Sequence, residues 1–192
     1  MPALPTLSPL LKLLTNISTS TGSSQQSSSL QLPRGALTGN LETAGIPVYF
    51  LMELSKNRIG RTSIQADIGL DAFKNFFGGM VGGQVDIQVN TVAINGSKVP
   101  KDRQLVDVKS SNYRIEIDFV PPYPANGRPV VTFRRLSPQE FDCLLLVPTD
   151  PGYAKARATL VAFARPVSDR QMKRATIDGT QLRSVWVDCP LL

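Results

Sequence analysis

Between Gln84 and Val120 the chain reads with a period of two. QVDIQVNTVAI (84–94) sets Val85, Ile87 and Val89 against Asp86, Gln88 and Asn90, and RQLVDVKSS (103–111) and YRIEIDFV (113–120) alternate in the same way. Such a period sends alternate side chains to opposite faces of a strand and does not match a helix. Asn95-Gly96, between the first two segments, is the strongest short turn signal in the chain. The three segments predict an antiparallel meander, and any fold for this chain must be built around it.

The flanks are less periodic. GIPVYFLMELSKNR (45–58) is apolar and then polar; its β-branched and aromatic front favours a strand, LMEL favours a helix, and both readings stand. DAFKNFFGGM (71–80) predicts a helix that starts at Asp71 and stops at Gly78-Gly79. PPYPANGRP (121–129) is a loop by its prolines and its second Asn-Gly. VVTFRRL (130–136) is expected as a strand. SPQEF (137–141) is expected as a short helical turn with a Ser cap. DCLLLVP (142–148) has the unbroken apolar run of a strand covered on both faces. ARATLVAFARP (156–166) is expected as a strand, although its alanines tolerate helix; VSDRQMKRA (167–175) is expected as a helix and LRSVWVDC (182–189) as a closing strand. The expected class is α/β: a central mixed β-sheet with an antiparallel meander, flanked by a few helices. STSTGSSQQSSS (18–29) is too polar to offset its ordering entropy. Residues 1–40 are therefore expected as a flexible Ser/Gln-rich N-terminal arm, and 41–192 as a single mixed α/β domain.

Composition narrows the chemistry. Lys and Arg number 21 against 15 Asp and Glu, a net charge of +6. That balance attracts polyanions, nucleic acid first among them, and it also serves plain solubility. Histidine is absent, which removes the Ser-His-Asp and Cys-His arrangements and any Cys/His zinc site. Cys143 and Cys189 both sit in apolar runs and read as buried thiols of a reducing compartment, with the cytoplasm expected. LSPLLKLLTNI (7–17) is too short to span a membrane and has no basic stretch before it, so neither a membrane span nor a secretory leader is expected.

One constellation invites catalysis. Asp86 and Asp107 flank the Asn-Gly turn, and pairing about that turn would set them roughly opposite each other, with Lys109 two residues beyond Asp107. Two adjacent carboxylates repel unless a divalent cation lies between them, and Mg²⁺ is held by one or two carboxylates plus phosphate oxygens. A neighbouring lysine would act on the attacking water or on the charge of the transition state.

An Asp, a hairpin and an apolar-Asp-x-Lys strand (VDIQV, then LVDVKSS) resemble the PD-(D/E)xK nuclease superfamily, as does FRRLSPQEFDCLLLV (133–147), a polar turn running into a buried strand. The resemblance covers roughly residues 45–165. It implies a restriction endonuclease-like fold and Mg²⁺-dependent hydrolysis of DNA phosphodiesters. Asp86 and Asp107 would be the metal ligands, Lys109 the catalytic lysine, and Glu53, with Glu42 second, a further acid. A homodimer is implied in the same way. Val85 stands where the family has proline. Beside the resemblance, Lys56, Arg58 and Arg61 around a glycine, and the Arg134-Arg135 and Lys173-Arg174 pairs, are candidate phosphate contacts, although solvated surfaces carry such charges more often. Tyr113 and Tyr123 are candidate stacking platforms.

Two other readings fit the same residues. Asp107 with Lys109, and Arg114 with Glu116 and Asp118, also describe the solvated face of an ordinary antiparallel sheet. A polar arm before a strand-rich body suits a non-enzymatic β-rich phage or virus structural or assembly protein. A nucleic-acid-binding module without catalysis is the third possibility.

Overall fold

In the computed structural model, which describes residues 45–56, 63–108, 112–118, 122–168 and 171–192, the meander is the first half of one eight-stranded mixed sheet. The strands are β1 (Val48–Glu53), β2 (Ser63–Asp67), β3 (Gln84–Val92), β4 (Lys98–Val108), β5 (Asn112–Asp118), β6 (Val130–Ser137), β7 (Glu140–Leu146) and β8 (Arg174–Asp178). Their order across the sheet is β2-β5-β4-β3-β7-β6-β1-β8. All pairs are antiparallel except β3 with β7. The fold is thus mixed α/β with few helices, as the sequence predicts. The expected arm (1–40) lies outside the described residues.

The sheet curls. Arg174 at the start of β8 donates to the Asp67 carbonyl and carboxylate at the end of β2, so the two outermost strands meet at one corner. Inside the curl, alternate residues of β1 to β7 form one core: Phe50 and Met52, Ile64 and Ala66, Ile87 and Val89, Leu105, Ile115 and Ile117, Val131 and Phe133, Phe141 and Cys143. A one-turn π-helix (Ala72–Phe76) plugs it. Its Phe76, with Phe77 just beyond, packs on Phe50 at centroid distances of 5.7 and 5.8 Å, and Phe73 lies 4.8 Å from Tyr113. The wider i→i+5 turn is closed by Phe77 N donating to Ala72 O. Gly79 is required, because a Cβ there would meet the Phe73 ring at 2.6 Å. Asp71 does not cap this turn with its side chain; its Oδ1 accepts from Asn75 Nδ2 instead.

The outer face of β1, β6, β7 and β8 carries a second core beneath two helices, α1 (Tyr153–Phe163) and α2 (Gly179–Val185). β1 is therefore buried at all six positions, which settles GIPVYFLMEL as a central strand. Four expectations change. Residues 156–163 belong to helix α1, because Tyr153, Ala156 and Leu160 recur at helical spacing and are buried. Residues 182–189 fall mainly in α2 and the turn after it. Asp178 and Gln181 form a capping box there, with Asp178 Oδ1 accepting from Thr180 N at 2.7 Å and Gln181 N at 2.8 Å. Of the span 167–175, the described residues 167–168 and 171–173 are not helical and 174–175 enter β8. SPQEF is the tight turn of the β6–β7 hairpin, not a helical turn. No helix among the described residues is long and apolar enough to cross a membrane.

Candidate nucleic-acid interface

The β3–β4 hairpin decides the fate of the expected metal site. It folds about Asn95, whose Oδ1 accepts from Ser97 N, and Gly96 takes a φ of 82° at the tip. In that register Asp86 faces Gln104, whose Nε2 donates to Asp86 Oδ1 at 3.2 Å. Asp107 lies three residues further along β4, an odd offset that turns its side chain to the opposite face. There it is level with Tyr113, and its Oδ2 accepts from Gly82 N at 2.7 Å, holding the turn that leads into β3. The structure does not bring the two carboxylates together. Lys109 lies outside the described residues, as do Glu42, Arg58 and Arg61. Glu53 is on β1, three strands from β3 in the sheet order, or roughly 14 Å at about 4.8 Å per strand. Among the described residues, no group of three or more Cys, Asp or Glu is arranged to hold a metal ion.

The polar face of β3 has its own order. Asn90 Nδ2 donates to Glu140 Oε1 and to Asp142 Oδ1, and Lys98 Nζ lies 2.7 Å from Asp142 Oδ2. Asp142, with 2% of its side chain exposed, is thus a paired buried carboxylate, the structural role its place at a strand start suggests. Asp86 and Asp102 stand beside this network, exposed, in a shallow dent with Glu140.

Basic side chains gather elsewhere. β6 and β8 are the antiparallel neighbours of β1, so both begin where β1 ends: Glu53 is level with Val130, and Met52 with Arg174. Three connecting segments converge at that end of the sheet. Together they form a groove of about 700 Å³, lined by Lys56 after β1, Tyr123 to Arg128 before β6, and Val167, Gln171 and Met172 before Arg174 of β8. At its base Glu53, 3% exposed, accepts from Arg128 Nη1 at 3.0 Å and from Lys173 N at 3.2 Å, with Arg157 Nη1 at 3.7 Å. A buried carboxylate is costly without such partners; here it fixes two guanidinium groups in place. Arg174 is fixed in turn by Asp67. Lys56 is exposed. Four cations (Lys56, Arg128, Arg157, Arg174) face two carboxylates (Glu53, Asp67), leaving a surplus of two positive charges.

Of the basic residues singled out in the sequence, Lys56 and Arg174 line this groove. Arg134 and Arg135 stand toward the other end of β6. Arg134 Nη1 donates to Leu191 O at 2.9 Å, tying down the C-terminal residues, and Arg135 Nη1 donates to Asn75 O at the π-helix. Sequence reasoning missed Arg128. A signal for it existed: a lone Glu inside VYFLMEL must be paired if it is buried, and its partners have to be basic. Cys143 is as expected a buried thiol, and burial pushes its pKa up to about 12; Cys189 is likewise pushed up to about 11.

No family model matches the chain, and no curated protein matches it. Among solved structures it is similar to the N-terminal domain of Helicobacter pylori LlaJI.R1, with a TM-score of 0.42 and 10% identity over 67% of this chain and 97% of that one.

Proposed function

We propose that this protein binds DNA through its phosphate backbone, with the groove between the β1 end, the 122–129 loop and the β8 start as the contact surface. One observation carries the reading: Lys56, Arg128 and Arg174 converge on a single groove, and with Arg157 beside it they outnumber the neighbouring carboxylates Glu53 and Asp67 by two, on arginines held in place by those carboxylates. Guanidinium groups fixed in this way lose little rotamer freedom when they meet a phosphate. The net charge of +6 supports the same reading by attracting the polyanion from a distance. Asp86 and Asp107 look to opposite faces, so the pair lends no support to a shared metal ion.

Fluorescence anisotropy with labelled DNA at several salt concentrations tests the proposal. Neutralising about two phosphates gives a slope of log K against log salt of about −1.8 for duplex. Lys56→Ala should weaken binding by a similar factor on unrelated sequences and flatten the slope by about one. Binding that is absent, insensitive to salt, or unchanged in Lys56→Ala would overturn it.

A further inference from the structure

We infer that the groove seats an unpaired base against the ring of Tyr123, so that the ligand class is single-stranded or locally unpaired DNA rather than intact duplex. The inference rests on the backbone-binding reading and adds what the other groove walls do. Tyr123 lines the groove and also packs against the inner aromatic core, so one side of the ring is supported. Its hydroxyl donates to Leu54 O at 2.7 Å, which stops the ring from swinging. Burial raises the Tyr123 pKa above its ordinary value, so the ring stays neutral and remains a donor to that carbonyl.

The rest of the groove is equally fixed. Arg128 Nη1 donates to Glu53 Oε2 at 3.0 Å and to Gln171 O at 2.8 Å, which orients its guanidinium plane. The Arg128 carbonyl accepts from the Tyr153 hydroxyl at 2.8 Å. Gly127 permits that approach, since a Cβ there would lie 2.8 Å from the same hydroxyl. The loop wall is thereby clamped to α1. Pro124, Ala125, Val167 and Met172 give the groove apolar lining. A flat aromatic platform, an apolar wall and fixed cations suit a base with its phosphate, and sequence-tolerant stacking of this kind is how single strands are held. A volume of about 700 Å³ lies within the roughly 300–1,000 Å³ of small-ligand sites. A base stacked inside duplex does not reach such a ring unless it is turned out of the helix.

The experiment compares a short labelled single strand with its duplex by anisotropy, and follows 2-aminopurine in the single strand by fluorescence. Tyr123→Leu removes the ring and keeps apolar bulk; Tyr123→Phe keeps the ring. The wild type should prefer the single strand and quench 2-aminopurine. Tyr123→Leu should lose about tenfold to a hundredfold on the single strand, the range of one stacked base, with a smaller loss on duplex and quenching lost. Tyr123→Phe should retain the preference. Equal affinity for both forms with no quenching overturns the inference and leaves salt-dependent backbone binding intact. Absence of salt-dependent binding to either form overturns both. Should Tyr123→Leu fail to fold, shown by its thermal melt, quenching by wild type and Tyr123→Phe decides: its presence supports the seat and its absence overturns it.

Discussion

On the outer face of β3 and β4, Asp86, Asp102 and Glu140 border a shallow dent of about 350 Å³, and the first two point into solvent. At the far end of β1, Glu53 is buried beneath Arg128 and Arg157, and the groove above it holds about 700 Å³. The two regions differ in what holds their charges. In the dent, water screens the acids and nothing forces them into a shared geometry. In the groove, one buried acid leaves the chain no choice but to order its cations. Charge placed by a buried partner is preorganised for a ligand; charge placed by strand alternation alone is solvated. Of the motif most visible in the sequence, Asp86 fell in the first kind of region, and the proposed contact surface is of the second.

Substitutions in each region sharpen that contrast. The largest effect is expected for Glu53→Ala, which strands two guanidinium groups and the Lys173 amide. The arginines are partly exposed, so the loss should sit at or below the low end of the roughly 3–5 kcal/mol for breaking a buried pair. It should appear in urea unfolding, together with loss of DNA binding. Asp142→Ala should cost about 2 kcal/mol in the same assay, because it takes one of two acceptors from Asn90 and the ion pair from a half-exposed Lys98, and DNA affinity should stay as it was. Asp107→Asn should cost about 1 kcal/mol by weakening the acceptor for Gly82 N. Asp86→Ala should change stability by no more than about 0.5 kcal/mol; a substantial loss of any Mg²⁺-dependent cutting in that variant would restore a catalytic meaning to the meander.

The smallest effect concerns pH. The hydrogen bond from Lys155 Nζ holds the Asp188 pKa below its ordinary value. A carboxylate depressed in the folded state stabilises above its unfolded pKa, and that stabilisation fades as pH falls through the folded one. Asp188→Asn should therefore lower the melting temperature slightly at neutral pH and not at all in strong acid, a change kept small because Asp188 is open to solvent.

The meander was legible because its period of two survives any tertiary context, and β7 because seven mostly apolar residues allow little else. Register was not legible from the turn dipeptide alone. A loop centred on Asn95 instead of midway between Gly96 and Ser97 shifts the register by three residues and moves Asp107 to the opposite face. The C-terminal third was misread for a different reason. The apolar positions of α1 include Val161, which is exposed, so the helical stripe is blurred. The capping box at Asp178–Gln181 was readable as D-x-x-Q but sat beside VWV, which looks like a strand. The groove was hardly legible at all: Lys56, Arg128 and Arg174 are more than 40 positions apart along the chain, and only the neighbours of β1 bring them together.

The most direct test of the groove is charge reversal at Lys56, read as DNA affinity against salt beside the same reversal at Arg134 at the opposite end of the sheet. Lys56→Glu should cut affinity by at least about tenfold and flatten the salt slope, while Arg134→Glu, checked for folding, should leave both near wild type. Unchanged binding in Lys56→Glu with binding lost in a folded Arg134→Glu would contradict the assignment.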